Sequence, residues 1–256
     1  MSEVPVAHAL WIGSALGPIE TACLRSFGAV GQRIVLHCYE PIVGVPPNVE
    51  IANAAATIPK DQVFRNRRSN SYALFSDIFR YRLLCNGAAL WVDCDVYVLK
   101  PIALREYTFG NEYDGSPGTG VLGMPVDSPV LASLVSMVDR PWMWLPWVQR
   151  APQWRARIRA KLAGRMPAEY MPWGVYGPTA FAAFARQHGV IGQAQPPDVF
   201  YPVDQRRLNS LFDPGVTLEE LVTKRTEALH LYNTLVNRRI KDGVPVGSTL
   251  ARILGK

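Results

Sequence analysis

Charge is scarce in this chain. Asp, Glu, Lys and Arg make up 19% of its 256 residues, against 48% hydrophobic ones. That balance excludes a disordered or heavily solvated polypeptide and supplies enough apolar material for a sizeable core. Cysteine is scarcer still. Cys23, Cys38, Cys85 and Cys94 form no CxxC pair, so neither a disulfide scaffold nor a zinc site is indicated, and each reads as a buried free thiol in a reducing compartment. No uncharged apolar run approaches the roughly 18 residues of a membrane span. The start, Met1-Ser2-Glu3-Val4-Pro5, has no basic n-region or apolar h-region, so no secretory signal is expected and a cytoplasmic location is. Repeats, low-complexity tracts, dividing linkers and base-reading modules are also missing. The reading is therefore a single domain over residues 1–256 with no nucleic-acid partner.

What charge there is lies unevenly. Lys plus Arg exceed Asp plus Glu by 27 to 21. Arg140, Arg150, Arg155, Arg157, Arg159, Lys161 and Arg165 all fall in one stretch without an acidic residue, and the rest of the chain is close to neutral. Trp142, Trp144, Trp147 and Trp154 are interleaved with them. Indole rings favour the headgroup level of a bilayer and basic side chains are drawn to anionic lipid. The segment 140–170 is expected to be a basic, Trp-rich helical insertion. Either it docks on the inner leaflet through residues 140–165, making the protein peripheral there, or it packs as a lid with its arginines in water. Pro141, Pro146 and Pro152 limit any long helix.

Apolar periodicity supplies the fold class. Ala9–Ile12, Arg33–Tyr39, Val49–Ile51 and Ala88–Val92 read as strands. Ile19, Cys23, Leu24 and Phe27 recur at helical spacing up to Gly28, and Leu74, Phe75, Ile78, Phe79, Leu83 and Leu84 do so up to Gly87. Alternating strands and helices predict an α/β fold with parallel pairing. Further on, Thr119–Met124, Val199–Tyr201 and Ala228–Tyr232 read as strands, while Ser128–Val138 and Pro178–Gln187 read as helices that begin with proline.

The strongest chemical signal is Leu90-Trp91-Val92-Asp93-Cys94-Asp95. A strand period of two would turn Asp93 and Asp95 to one side and Cys94 to the other. Two close carboxylates raise each other's pKa unless a cation lies between them, and hard oxygen ligands suit Mg²⁺ or Mn²⁺ bridging to a diphosphate. Upstream, Asp77 and Arg80 share a face of the apolar helix that feeds this strand. A carboxylate and a guanidinium together can grip sugar hydroxyls and phosphate oxygens; an intrahelical ion pair on a solvated face is the plainer reading. Arg65, Arg67 and Arg68 form a basic loop just before it, either solvated or reaching a diphosphate. Trp11 on its apolar strand is compatible with core packing. His230 alternates away from Leu229 and Leu231. His8, His37 and His188 have no partner pattern.

The run Ser76 to Pro101, SDIFRYRLLCNGAALWVDCDVYVLKP, resembles the core signature of glycosyltransferase family 32, sugar transferases with a DXD motif related to the clostridial glucosylating toxins. Leu10–Gly13, Cys23–Phe27, Gly31, Val45-Pro46 and Ala54–Pro59 extend the resemblance towards the start, and Trp173–Pro178 and His230–Asn233 towards the end. Gly87-Ala88 replaces the usual pair of glycines, and no tryptophan follows His230 closely. The resemblance implies a GT-A fold: a mixed, mostly parallel sheet flanked by helices, with a helical acceptor-side segment. It implies a retaining, Mn²⁺- or Mg²⁺-dependent transfer from a nucleotide sugar, UDP-sugar favoured, to a glycan hydroxyl in cell-surface polysaccharide synthesis; docking of residues 140–165 on the inner leaflet would present a lipid-linked glycan as acceptor. Trp11 would stack on the nucleobase and Gly13 would admit the nucleotide. Asp77 and Arg80 would hold the donor sugar. Asp93 would contact ribose or sugar and share the metal that Asp95 ligates. His230, or Asn233 in its place, would complete the ligands, and Gly177-Pro178 would line the acceptor side. Two other readings remain open on the residues alone: a haloacid dehalogenase-type phosphatase, whose nucleophile motif is also Asp-x-Asp after an apolar strand, and a non-catalytic nucleotide- or glycan-binding module.

Overall fold

The computed structural model describes residues 4–256; residues 1–3, where the chain start was read, lie outside them. In chain order the regular elements are β1 (Ala7–Trp11), α1 (Pro18–Ala29), β2 (Ile34–Cys38), β3 (Val49–Asn53), α2 (Ala73–Cys85), β4 (Leu90–Val92), β5 (Val96–Val98), β6 (Val121–Leu122), α3 (Pro129–Val138), α4 (Arg150–Ala163), α5 (Pro178–Gln187), α6 (Pro197–Phe200), α7 (Leu218–Leu221), β7 (Ala228–His230), α8 (Asn233–Ile240) and α9 (Thr249–Leu254). Five strands form one sheet in the order β3-β2-β1-β4-β6. The first four are parallel and β6 is antiparallel to β4. The sheet is thus mixed and mostly parallel, flanked by helices, and compatible with a Rossmann-like fold. A separate antiparallel pair joins β5 to β7.

Strand alternation sorts the core into two layers. On one side Ala7, Ala9, Ile34, Leu36, Leu90 and Val92 pack with Ile19, Cys23, Leu24 and Phe27 of α1. On the other, Leu10, Trp91 and Leu122 pack with Leu74, Phe75 and Phe79 of α2 and with α3 and α5. Phe79 and Trp91 are almost fully buried and in contact, each worth about 1.5–3 kcal/mol in removed apolar surface. Ser128 caps α3 by accepting from the N–H groups of Val130 and Leu131, and Pro129 follows at the position where a missing N–H costs least.

Three expectations are corrected. Val199-Phe200-Tyr201 is not a strand: Pro197 opens a helical turn through Phe200, which Pro196 and Pro197 favour by fixing φ. α1 runs one residue past Gly28, and the chain turns at Gly31, whose φ of 72° suits glycine. Cys85 is exposed at the end of α2, while Cys23 and Cys38 are buried and Cys94 is partly so; all four are free. Among the described residues no helix is long and apolar enough to cross a membrane.

Candidate active site at the end of strand β4

Chain order reverses across the sheet between β1, whose next neighbour is β2, and β4 on its other side. Parallel α/β sheets bind ligands beyond the carboxyl ends of strands at such a switch point. Asp93, Cys94 and Asp95 lie just past the end of β4. They form a turn rather than a strand, closed by the Val96 N–H donating to the Asp93 carbonyl at 3.1 Å. The period-two argument for their common direction therefore fails. The chain must leave the main sheet here, because β5 pairs with β7 instead. What brings the carboxylates together is that turn and the arrival of His230 at the end of β7, opposite Val96. One ligand atom from each of Asp93, Asp95 and His230 lies within 4.8 Å of the others.

Each carboxylate is held by one oxygen. Asp93 Oδ1 accepts from Trp91 Nε1 at 2.8 Å and from the Arg80 guanidinium at 3.0 Å. Asp95 Oδ2 accepts from the backbone N–H of Asn233 at 2.8 Å, while its Oδ1 faces His230 Nε2 at 3.4 Å. Cys94 between them is turned away, its thiol donating to the Leu10 carbonyl at 3.4 Å. Burial, Asp93 and Asp95 all push that thiol well up, so it stays protonated.

His230 follows the alternation expected of it: Leu229 and Leu231 are fully buried and the imidazole faces the site. Its ring stands edge-on to Tyr232 with centroids 4.4 Å apart, and Tyr201 lies at 5.5 Å. Nδ1 is buried without a hydrogen-bond partner among the described residues. Gly120 forms the wall opposite. A Cβ there would fall 2.8 Å from His230 Cδ2 and 3.1 Å from Nε2, so only glycine leaves the ring its place.

Beneath Asp93, Arg80 is buried between Asp93 and Asp77, whose Oδ1 is 3.3 Å away. The same guanidinium donates to the Thr119 carbonyl and lies over the Trp91 ring. Burial works against its charge, but Asp93 and Asp77 outweigh that and raise its pKa. Burial, against the pull of Arg80 and with a further push from Asp93, leaves Asp77 raised to about 6. The pair is thus not the solvated ion pair of the plainer sequence reading. Gly177 covers Asp77: a Cβ there would sit 2.5 Å from Oδ1. Pro178 follows as the first residue of α5. Trp11 ends β1 partly exposed, with Nε1 donating to the Ala15 carbonyl at 3.0 Å. Gly13 packs on that indole, where a Cβ would approach Nε1 to 3.2 Å.

Asn233 is engaged on both ends of its side-chain amide, donating to Glu20 and accepting from Asn237. Tyr232 before it adopts the left-handed conformation at φ 49°, a costly one for a bulky residue, and this turns the Asn233 N–H towards Asp95. Glu20 escaped the sequence reading. It is buried in α1, its Oε2 has no hydrogen-bond partner among the described residues, and burial raises its pKa. Its signal was available: Glu20 shares a helix face with Leu24 and Phe27, where an acid is out of place. Glu112 accepts from the Tyr232 hydroxyl at 3.2 Å and lies in irregular chain with no periodicity to mark it.

Arg65 and Arg67 do not face this site through α2. A cavity of about 1060 Å³ lies on the opposite face of that helix, against Phe75, Ile78 and Arg82, and Arg65 and Arg67 line it. Arg67 pairs with Glu169 at 2.9 Å and Arg65 lies over the Tyr72 ring. His8 and His37 are partners at 3.0 Å, and His188 meets Ser133 at 2.9 Å.

No protein-family model matches the chain, and no curated protein matches it.

Proposed function

We propose that the protein is a retaining, divalent-metal-dependent glycosyltransferase of the GT-A kind. It would move a sugar from a nucleotide donor, UDP-sugar favoured, to a hydroxyl of a glycan or lipid-linked glycan, in cell-surface polysaccharide synthesis. The observation that carries this reading is the convergence of Asp93, Asp95 and His230 beside the buried Asp77–Arg80 pair. Two carboxylates and an imidazole are a donor set suited to Mn²⁺ or Mg²⁺. Asp93 and Asp95 each have one oxygen pinned by protein donors, which fixes the carboxyl while the other oxygen remains for an ion. When bound, the ion neutralises charge on the departing diphosphate.

The chain's own groups have separable tasks. Arg80 orients Asp93 by donating to its Oδ1. Asp77 and Arg80, buried beneath Asp93, brace the donor-sugar side of the site from below, and Gly177, which covers Asp77, sets how closely the acceptor side approaches. Trp11, held by Ala15 at the end of the neighbouring strand, offers an indole face for a base. Asn233 is engaged by Glu20 and Asn237, so its side chain positions the start of α8 and its backbone N–H orients Asp95; His230 is the third ligand in this reading. Asp77 is paired and covered, which suits a positioning carboxylate better than a nucleophile. Front-face attack, with the leaving phosphate taking the acceptor's proton, therefore accounts for retention.

The test is donor hydrolysis. Wild-type protein with Mn²⁺ should release nucleotide from one of a panel of nucleotide sugars, and Asp95→Ala should abolish release while keeping its circular dichroism spectrum. Undiminished release in that variant rejects the site. Turnover of p-nitrophenyl phosphate without nucleotide release would assign a phosphatase instead.

A further inference from the structure

Helix α4 is built the wrong way round for a helix that only packs on its own protein. Its buried residues are Gln153, Ala156 and Ala160, a narrow stripe of small or polar side chains. Its large apolar residues Trp154, Ile158 and Leu162 recur every fourth position and are exposed at 59%, 38% and 83%. At 3.6 residues per turn, Arg155 and Arg159 flank that stripe on one side and Arg150 and Lys161 on the other. Among the described residues, none of these four has a carboxylate within ion-pair distance.

The preceding loop is tied to α4 and carries two more exposed indoles. Gln153 holds it by accepting from the Leu145 N–H at 2.8 Å and donating to the carbonyls of Leu145 and Val148, both at 2.7 Å. Trp147 is tucked inward, donating to the Val175 carbonyl at 2.9 Å. Trp142 and Trp144 instead remain exposed at 44% and 49%, and Arg157 lies 4.1 Å over the Trp144 ring.

We infer that the exposed face of α4, with Trp142 and Trp144, is a docking surface for an anionic lipid bilayer. The stripe matches an interfacial helix: aromatic and aliphatic side chains for the acyl boundary, with basic residues on both flanks for the headgroups. The uniform positive charge disfavours a second copy of the chain, because pairing the faces would bring like charges together. This inference does not rest on the transferase reading, since partition is measured without donor or acceptor.

The experiment is co-sedimentation of the full chain with large vesicles of phosphatidylcholine alone or with about one third phosphatidylglycerol, at about 0.1 M salt. The protein should sediment with the anionic vesicles, weakly or not at all with the neutral ones, and less as salt rises. W154A together with L162A should cut partition at least tenfold, as should R155E together with R159E. All four side chains are exposed, and light scattering with circular dichroism checks that each variant stays folded. No sedimentation with anionic vesicles overturns the inference, as does equal binding by the variants. A dimer that W154A with L162A dissociates, without vesicle binding, assigns the face to a second copy and also overturns it.

Discussion

Arg80 lies 3.0 Å from Asp93 while remaining 3.3 Å from Asp77, so one buried guanidinium holds together a carboxylate of helix α2 and a carboxylate of the turn after β4. Removing it would leave Asp77 buried, and Asp93 partly buried, without their counter-charge. Arg80→Met should cost about 3–5 kcal/mol of stability in urea unfolding, and adding Asp77→Asn should recover part of the loss. A single variant within about 1 kcal/mol of wild type would show that the pair is better solvated than its burial indicates.

The wall at Gly120 separates site geometry from stability. Its backbone lies outside the left-handed region, so alanine is tolerated locally, but the added methyl meets the His230 ring. Gly120→Ala should keep the fold and weaken Mn²⁺ binding about tenfold, a loss typical of disturbed ligand orientation. Calorimetric Mn²⁺ titration of the variant checks this.

Acid should weaken the sheet through His37. Burial, with His8 beside it, lowers its pKa from 6.5 to about 4. Below pH 6.5 the unfolded chain takes up a proton that the folded chain refuses until about pH 4. Stability therefore falls as pH drops through that window and then levels off for this group. Urea midpoints of His37→Gln should fall less steeply than wild type between those pH values. Parallel curves would assign the acid sensitivity to other groups.

Much of this was legible in the residues. The apolar runs of β1, β2 and β4, and the helical spacing of Ile19 to Phe27 and Leu74 to Leu84, placed the parallel core, because a strand buried on both faces and a helix buried on one leave different periods; the edge strand β3 is mostly exposed and was marked only by Val49 and Ile51. Asp77, Arg80, Asp93 and Asp95 were legible because charge in apolar surroundings needs a reason. The DxD turn was not, since the period of a strand gives no sign of where the strand stops. Glu20 and Glu112 meet the site only through tertiary contacts with Asn233 and Tyr232, separated from them by 213 and 120 residues. For the segment 140–165 the sequence left bilayer docking and lid packing open, because the spacing of Trp154, Ile158 and Leu162 does not say which way that face of α4 turns; their exposure is seen only in the fold.

The central claim is that Asp93 and Asp95 hold a cation that in turn holds a diphosphate. Isothermal calorimetry with Mn²⁺ and then UDP tests it most directly. Wild-type protein should bind one Mn²⁺ and take UDP only once the ion is present, and Asp93→Asn with Asp95→Asn should bind neither. Absence of both heats in the wild type, or equal Mn²⁺ binding by the double variant, would contradict it.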